Sequence, residues 1–506
     1  MRKSMSMMGF KIEEDPTDSE VTGFAGLLPY MEFWDWLQMP SRVDQTVHVC
    51  GTQGWLDRQI IQALVLLNLA GGNCVSDIDK LEADVGLCQM VRRNEYSGMD
   101  RRAVKRAQSR FRTGRKRTFP AATQIASFLE ECHNEAEEEK RVVGKAFIPA
   151  PNDHLRSLRK LNALLVHEAQ RLRPCDTATF DCDATLVESR TKTALYCYKG
   201  FAGYQPFNVY WAEQDLTVYS ELRDGNVPAF FDLLRPIKEA ISILPEGVTT
   251  VMVRQDTAGY RNEDMAWFER ADEHPRFGRI LFTISADITQ SFRQAVTQVA
   301  PNEWIMEYKR KGDKLVPTGR EYAEVVYVSN EQATLAGVDD PFRFIAIREK
   351  MSPQLSLLDV GSDPPFPTIV LNNIKYKLHA IVTNRRDEPA EELIQWHYQR
   401  CGKSEEAHAI MKNDFAGGHL PSAKFGANAA WWALMILSMN LNSLMKRHVL
   451  GDKWATKRMK SVRFELIAAP ARIIHHARQA IIRMNRPLQE LFFRIRGTLD
   501  RLPART

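Results

Sequence analysis

Three acidic positions draw attention through the elements that would carry them. Asp181 and Asp183 lie two residues apart at the end of a β-patterned run, Thr177 to Asp183, so both project from one face of a strand. Asp256 closes a second run after Val251, Val253 and Arg254, and the crevice beyond strand ends is a usual place for chemistry in α/β sheets. Glu405 stands at the centre of the third signal. Tyr398, Glu405 and Lys412 are spaced by seven on a stretch that reads as one helix from Ala390 to Lys412, which aligns them on one helix face. Taken singly each has an ordinary explanation, because strand-end aspartates form turns or cap helices and a polar helix stripe is often a solvated face with ion-pair partners. Directed at one place, they describe a metal site with a phosphate clamp. Carboxylates, water and substrate oxygens bind hard cations such as Mg²⁺. Two such ions about 3.5 to 4 Å apart activate the attacking oxygen and stabilise charge on the phosphoryl and leaving oxygens. In that arrangement Lys412 offers a point charge to a phosphate and Tyr398 a hydrogen-bond donor near the scissile strand.

The elements that must position these residues follow from periodicity. Strands are expected at Thr177 to Asp183, Pro206 to Ala212, Leu216 to Leu222, Thr249 to Arg254 and Arg279 to Ser285, with helices at Ala229 to Leu244 and around Glu263 to Ala271. Three strands, helix, strand, helix, strand is an α/β order that suits a ribonuclease H-like core. Residues 151–300 would form its first part and 377–446 its last, where a strand at Lys377 to Thr383 leads through Asp387 and Pro389 into the Glu405 helix. Between them, 301–376 reads as a β-rich insertion, with pieces at Tyr322 to Val328 and Arg343 to Arg348. Residues 1–150 read as helical: Ala25 to Leu37, Leu56 to Leu69 (ended by Gly71 and Gly72), Asp77 to Val91 and Arg101 to Arg112, with Ser76 or Asp77 as a cap. A break at Pro149 and Pro151 marks the boundary. Residues 447–506 read as basic helices.

At 506 residues the chain exceeds the size at which one core keeps growing, and 44% apolar with 26% charged residues excludes a disordered or collagen-like chain. A net charge of +5 says little by itself, but its distribution does. From Arg101 to Arg117 there are nine basic residues and no acidic one, and from Lys446 to Arg505 fifteen basic residues against four acidic. Such blocks attract phosphate backbones without sequence preference, when they are not simply solvated helix faces. The eight cysteines contain no C-x-x-C pair, which argues against a zinc module or disulfide framework and fits a reducing compartment. The long apolar stretch from Ala427 to Met445 carries Asn428, Ser438, Asn440, Asn442 and Ser443, so it is expected as a buried core helix, and no membrane is implied.

The runs DCDAT at 181–185, followed by YKGFAGYQPF, RQDTAGY at 254–260 and YQRCGKSEEAHAIMKNDF at 398–415 resemble bacterial insertion-sequence transposases of the DDE type. The subgroup is the one with a Tyr-Arg-Glu-Lys signature and a β insertion before the last catalytic residue. GGNCVSDIDKLEAD and FGANAAWWALMILSMNLNSLMK extend the resemblance over most of the chain. It implies Asp183, Asp256 and Glu405 as the catalytic and metal-binding triad, Asp183 being preferred to Asp181 for its D-x-T form, with Asp181 kept as a further metal ligand. It implies two Mg²⁺ ions, with Mn²⁺ as a substitute, and double-stranded DNA as partner, both transposon ends and target. A homodimer in the synaptic complex and a cytoplasmic, nucleoid-associated location in a bacterium also follow. Arg101, Arg102, Lys105, Arg106 and Arg110 are candidates for recognising terminal inverted repeats, and Arg472, Arg478, Arg483 and Arg494 for contacting DNA or another subunit. Trp304 is a candidate for holding a flipped base, against the commoner role of packing. One departure stands out: Cys401 occupies the signature's arginine position, and Arg400, one place earlier, or Arg254 is left to replace it. Two other readings stay open, a nuclease of the same fold that cuts without joining and a non-catalytic DNA-binding protein derived from a transposase.

Overall fold

The computed structural model describes residues 20–328, 341–351, 366–401, 403–476 and 479–503. The chain forms two compact units, one of Ala169–Leu186 with Leu195–His408, the other of the segments up to Glu168, Val187–Ala194 and from Ala409 onward.

The first unit is organised by one ten-stranded sheet. Its strands are β1 (Thr177–Ala184), β2 (Phe207–Trp211), β3 (Leu216–Glu221), β4 (Thr250–Gln255), β5 (Leu281–Ser285), β6 (Ile305–Lys311), β7 (Lys314–Val325), β8 (Arg343–Lys350), β9 (Thr368–Leu371) and β10 (Ile374–Thr383). Their order is β6-β7-β8-β10-β5-β4-β1-β2-β3, with β9 paired to β10. β1, β4 and β5 run parallel, and the remaining pairs are antiparallel. β1 is central, and its alternating residues are buried on both faces: Ala178, Phe180 and Cys182 on one, Thr179 and Asp181 on the other. A carboxylate that deep in a sheet requires a partner, as Asp181 proves to have. The 301–376 segment, expected as a β-rich insertion, contributes β6 to β9 to this same sheet, with β8 pairing along β10 from Arg343↔Thr383 to Lys350↔Tyr376. Parts of it, 329–340 and 352–365, lie outside the described residues.

The second unit is mostly helical. The helix expected over Asp77 to Val91 is two helices, Ile78–Ala83 and Val85–Glu95, because Asp84 caps the second of them. One Asp84 oxygen accepts the Leu87 N–H at 2.8 Å, and the other accepts Thr22 Oγ1 and the Gly23 N–H. Asp57–Ala70 ends at Gly71 with φ 99°, as a left-handed cap requires, and the Arg463 guanidinium donates to the exposed carbonyls of Asn68 and Leu69. At the centre lies Phe425–Leu444, buried on nearly every residue. Its polar side chains are satisfied within the unit: Asn442 accepts from the Tyr30 hydroxyl at 2.7 Å, Asn440 donates to Asn162 at 2.6 Å, and Ser438 donates to the Leu434 carbonyl. No single described helix is long and apolar enough to cross a membrane.

One segment differs from the sequence expectation, and one helix is not anticipated by it. Asp153–Leu172, twenty residues long, follows the Pro149–Pro151 break. The basic C-terminal region, expected as helical throughout, contains a hairpin, Ala471–His476 with Gln479–Arg483, which also pairs with Val21–Thr22. Ile473 and Ile474 face Ile482 and Ile481 across it, and β-branched pairs of this kind favour a ladder over a helix. Arg472 and Arg483 are exposed on the hairpin and Arg494 on the following helix, Arg486–Leu499, while Arg478 lies outside the described residues.

Candidate active site

Asp183 and Asp256 come from neighbouring parallel strands. The β1–β4 register pairs Asp181 with Arg254, and Asp183 and Asp256 each follow two residues later in their chains, close enough for the Asp256 charge to act on Asp183. Asp183 is anchored through its Oδ1, which accepts the Ala184 N–H at 2.9 Å. Asp256 caps the 3-10 turn Thr257–Gly259, accepting the Ala258 N–H at 3.0 Å. The turn is tight: a Cβ at Gly259 would come within 2.6 Å of Gln255, which accounts for the glycine in the DTAG run.

Asp181 and Arg254 are committed to each other. Arg254 Nε and Nη2 donate to the two Asp181 oxygens at 2.6 and 2.9 Å, its Nη1 donates to the Trp396 carbonyl at 2.7 Å, and its guanidinium lies over the Trp396 ring. Both side chains are almost wholly buried. This corrects two sequence expectations. Both Asp181 oxygens accept from Arg254 inside the sheet, which turns Asp181 away from an open metal site, and the bonded Arg254 donors are directed inward to Asp181 and Trp396 instead of to a DNA phosphate.

The Glu405 helix also differs from expectation. Ala390 to Lys412 is not continuous: a helix Ala390–Tyr398 gives way to a tightened turn, Arg400 N–H to His397 and Cys401 N–H to Tyr398, and a second helix runs from Lys403 to Ala409. Ile410–Asp414 then widens into a π-helical turn. Tyr398, Glu405 and Lys412 therefore do not form one helical stripe, because each sits on a separate piece. Lys412, half-buried in the π turn, belongs to the other unit. Tyr398 packs beside the Ile345, Ile347 and Leu393 cluster with Arg320 over its ring, and burial pushes its hydroxyl up to about 12. It stays a neutral donor throughout the ordinary pH range.

The turn between the helices changes the geometry of Arg400. Arg400 lies in the tightened turn between the two helices, and its guanidinium reaches the carboxylates from there. Its Nη1 lies 3.6 Å from Asp183 Oδ2, it is 9% exposed, and its Nε has no hydrogen-bond partner among the described residues. Cys401 is exposed. His397, which the sequence does not single out, holds the first helix to β5: its ring nitrogens meet Thr283 Oγ1 at 2.8 Å and Ser285 Oγ at 3.1 Å. Burial, with Arg400 and Arg254 nearby, pushes His397 down to about 3, so it is neutral and adds no charge.

The electrostatics tie the three carboxylates together. Burial pushes Asp183 up to about 6, and the like charges of Asp256 and Glu405 push the same way against the opposing pull of Arg400. A buried acid held in that state gains from any nearby cation. Among the described residues no three His, Cys, Asp or Glu side chains close on one ion, so protein ligands alone do not complete a coordination shell. An open shell of carboxylates completed by water and substrate oxygens is how Mg²⁺ is usually held, and Asp183 and Asp256 suit it, while the structure does not bring the exposed Glu405 onto one ion with them.

Residues 9–504 match the family described as "Transposase DDE domain group 1". The chain belongs to that transposase family. No curated protein sequence matches the chain. A solved structure, a piggyBac transposase synaptic complex with hairpin DNA, aligns with 96% of this chain and 86% of its own at 8% identity and a TM-score of 0.42.

In this transposase the remaining sequence candidates fall into two groups. Arg101, Arg102, Lys105 and Arg106 are exposed on the helix Arg101–Ser109, which buries no residue and is capped by Asp100. Arg110 is a correction: its guanidinium donates to the Gly51 and Gly54 carbonyls, and its neighbours Arg112, Arg115 and Arg117 bond Gln53, Glu95 and Asp79. These arginines close loops within their unit. Trp304 is a second correction, since it is buried and the Arg348 guanidinium covers its ring at 4.0 Å, leaving no open face for a base.

The transposase's raised Asp183 has a thermodynamic consequence. Its folded pKa lies above the unfolded value of about 3.9, so the ionised form destabilises the fold and the penalty grows as pH rises through about 6. Asp183→Asn, neutral at every pH, is expected to raise metal-free stability at pH 8 by roughly 2–3 kcal/mol. The gain should shrink as pH falls through about 6 and vanish below about 4. Thermal melts of both proteins in EDTA between pH 4 and 8 check this, and a gain independent of pH would contradict it.

Proposed function

We propose that this chain is a DNA transposase of an insertion sequence, of the bacterial subgroup with a Tyr-Arg-Glu-Lys signature. It binds the terminal inverted repeats of its element and performs metal-dependent DNA cleavage and strand transfer. The observation that carries the reading is a half-buried Asp183 pressed by Asp256 and Glu405 and faced by Arg400, near the ends of adjacent parallel strands. The β3-β2-β1-β4-β5 order, with β1, β4 and β5 parallel, supports a ribonuclease H-like core. Asp183, Asp256 and Glu405 would hold two divalent ions, Mg²⁺ or Mn²⁺, which when bound supply charge stabilisation at the phosphoryl group and a more acidic attacking hydroxyl.

The chain's own groups do the rest. Arg400 brings a positive charge with an unused Nε to the place where phosphate charge develops, and we assign to it the role of the signature arginine that Cys401 vacates. Tyr398 keeps its proton for hydrogen bonding, and Lys412 offers a charge to the DNA backbone. The exposed Arg101, Arg102, Lys105 and Arg106 contribute to end binding. A homodimer would hold two ends together, in the bacterial cytoplasm at the nucleoid.

The test is incubation of labelled DNA carrying the element's own end with Mg²⁺, scoring nicks and joined products. Cutting with joining supports the transposase. Cutting alone leaves a nuclease of the same fold, and end binding without cutting leaves a DNA-binding derivative. Arg400→Gln is expected to lower cleavage kcat/KM roughly ten- to a hundredfold, as loss of a charged hydrogen bond does. Because Arg400 lowers the Asp183 pKa, its removal should also shift the acid limb of the pH–rate profile to higher pH. Cys401→Ala, at an exposed position, should leave both unchanged. The reverse pattern would return the clamp to position 401.

A further inference from the structure

Tyr196 and Tyr198 are 72% and 76% exposed, while Cys197 between them is 6% exposed. Two aromatic rings held in water beside a buried residue are an unusual expense for a folded chain and need a reason. They are not on a loose loop. Leu195 and Tyr196 pair with Gly203 and Ala202. Beyond them the chain closes a turn, with the Cys197 N–H bonded to the Phe201 carbonyl and the Gly200 N–H to the Cys197 carbonyl, and Gly200 at φ 82°. The hairpin is braced by Gly225, whose N–H reaches the Gly203 carbonyl and where a Cβ would lie 2.5 Å from the Leu195 carbonyl oxygen. The two rings thus stand on a fixed support.

The same hairpin is short of chain from the carboxylates. It runs through Ala202–Tyr204 into β2, whose Phe207 and Asn208 pair with Ala184 and Asp183. Phe207 follows Ala202 by five positions, at most roughly 17 Å of extended chain. The charge is complementary to phosphate: residues 195–201 contain Lys199 and no acidic residue, and Lys199 lies over the Tyr198 ring. Aromatic faces interleaved with basic side chains are the composition that stacks on bases of a single strand while tracking its backbone. Trp304, the aromatic residue that the sequence suggests for a base, is buried with its ring covered, whereas these two rings are largely exposed.

We propose that Tyr196 and Tyr198 form a stacking platform for unpaired bases of single-stranded DNA next to the cleavage centre. The inference rests on the transposase reading for its biological sense but on the hairpin alone for binding. Its test is fluorescence anisotropy of a labelled twelve-nucleotide oligothymidine with the full chain at fixed salt. Tyr196→Ala with Tyr198→Ala is expected to raise Kd roughly ten- to a hundredfold at unchanged Tm, and the paired Phe replacements should bind within about twofold of the native chain. Three results would overturn the platform: no binding by the native chain, an alanine pair that binds like the native chain, or a phenylalanine pair as weak as the alanine pair. A native chain that binds through the tyrosines but cuts no element-end DNA removes the transposase reading and leaves the platform. One that cuts while the alanine pair binds normally does the opposite.

Discussion

Glu405→Gln and Asp256→Ala are each expected to keep DNA binding and to lose Mg²⁺-dependent cleavage by roughly 10³-fold or more. Metal-borne stabilisation of a phosphoryl transition state is worth several kcal/mol, and each 1.36 kcal/mol is tenfold in rate. The two variants should fail for the same reason from different elements. Asp256 sits on the turn that ends β4, and Glu405 is exposed on a helix that begins only after a break, so neither replacement disturbs a packed interior. Glu405→Gln keeps the shape and removes the charge. Thermal melts should show both variants folded, and single-turnover cleavage against Mg²⁺ concentration checks the loss. Cutting unchanged in either variant would remove the triad and with it the proposed mechanism.

Arg254→Met should fail in a different way. Removing one partner of a buried ion pair leaves an uncompensated charge, at a cost of roughly 3–5 kcal/mol. Here the stranded group would be Asp181, with both oxygens unpaired inside the sheet, and the Trp396 carbonyl would lose its donor too. The expected result is a clear fall in Tm. Burial already pushes Asp181 upward against the pull of Arg254, so without Arg254 it should protonate more readily and the variant should lose less stability at low pH. Arg254→Met combined with Asp181→Leu should recover most of the loss. If Arg254 instead contacted DNA, the single variant would melt like the native chain and bind DNA more weakly, which is the outcome that contradicts the assignment.

The sheet was legible in the sequence to the extent that its strands alternate or run apolar between turn residues. Thr177–Ala184, Thr250–Gln255 and Leu281–Ser285 lie within a residue or two of their expected positions. The carboxylates at two of these strand ends could be singled out for the same reason, since period two fixes which face a side chain takes. What could not be read is what each polar group faces. Asp181 and Asp183 are indistinguishable by pattern, and only the register that sets Arg254 opposite Asp181 separates them. The break near Arg400 had a signal in Gly402, a poor helix former, which the good helix formers Gln399, Arg400, Lys403 and Glu405 and the seven-residue spacing of Tyr398, Glu405 and Lys412 outweighed. The C-terminal hairpin was hidden by its arginines, whose charge drew attention away from the isoleucines that pair across it.

The helical unit draws on both halves of the chain: Val21–Thr22 is completed by Ala471–Arg472, Tyr30 by Asn442, and the end of Asp57–Ala70 by Arg463. During synthesis the chain emerges in order at about 5–20 residues per second, so the N-terminal helices wait some tens of seconds for their partners. For that interval Leu64, Leu67 and Trp34 have no interior to enter and are candidates for chaperone binding. The β-sheet unit has all its strands by Thr383 and can close earlier. Newly made protein would therefore hold its carboxylates in place before the exposed arginines of Arg101–Ser109 have a finished scaffold beneath them.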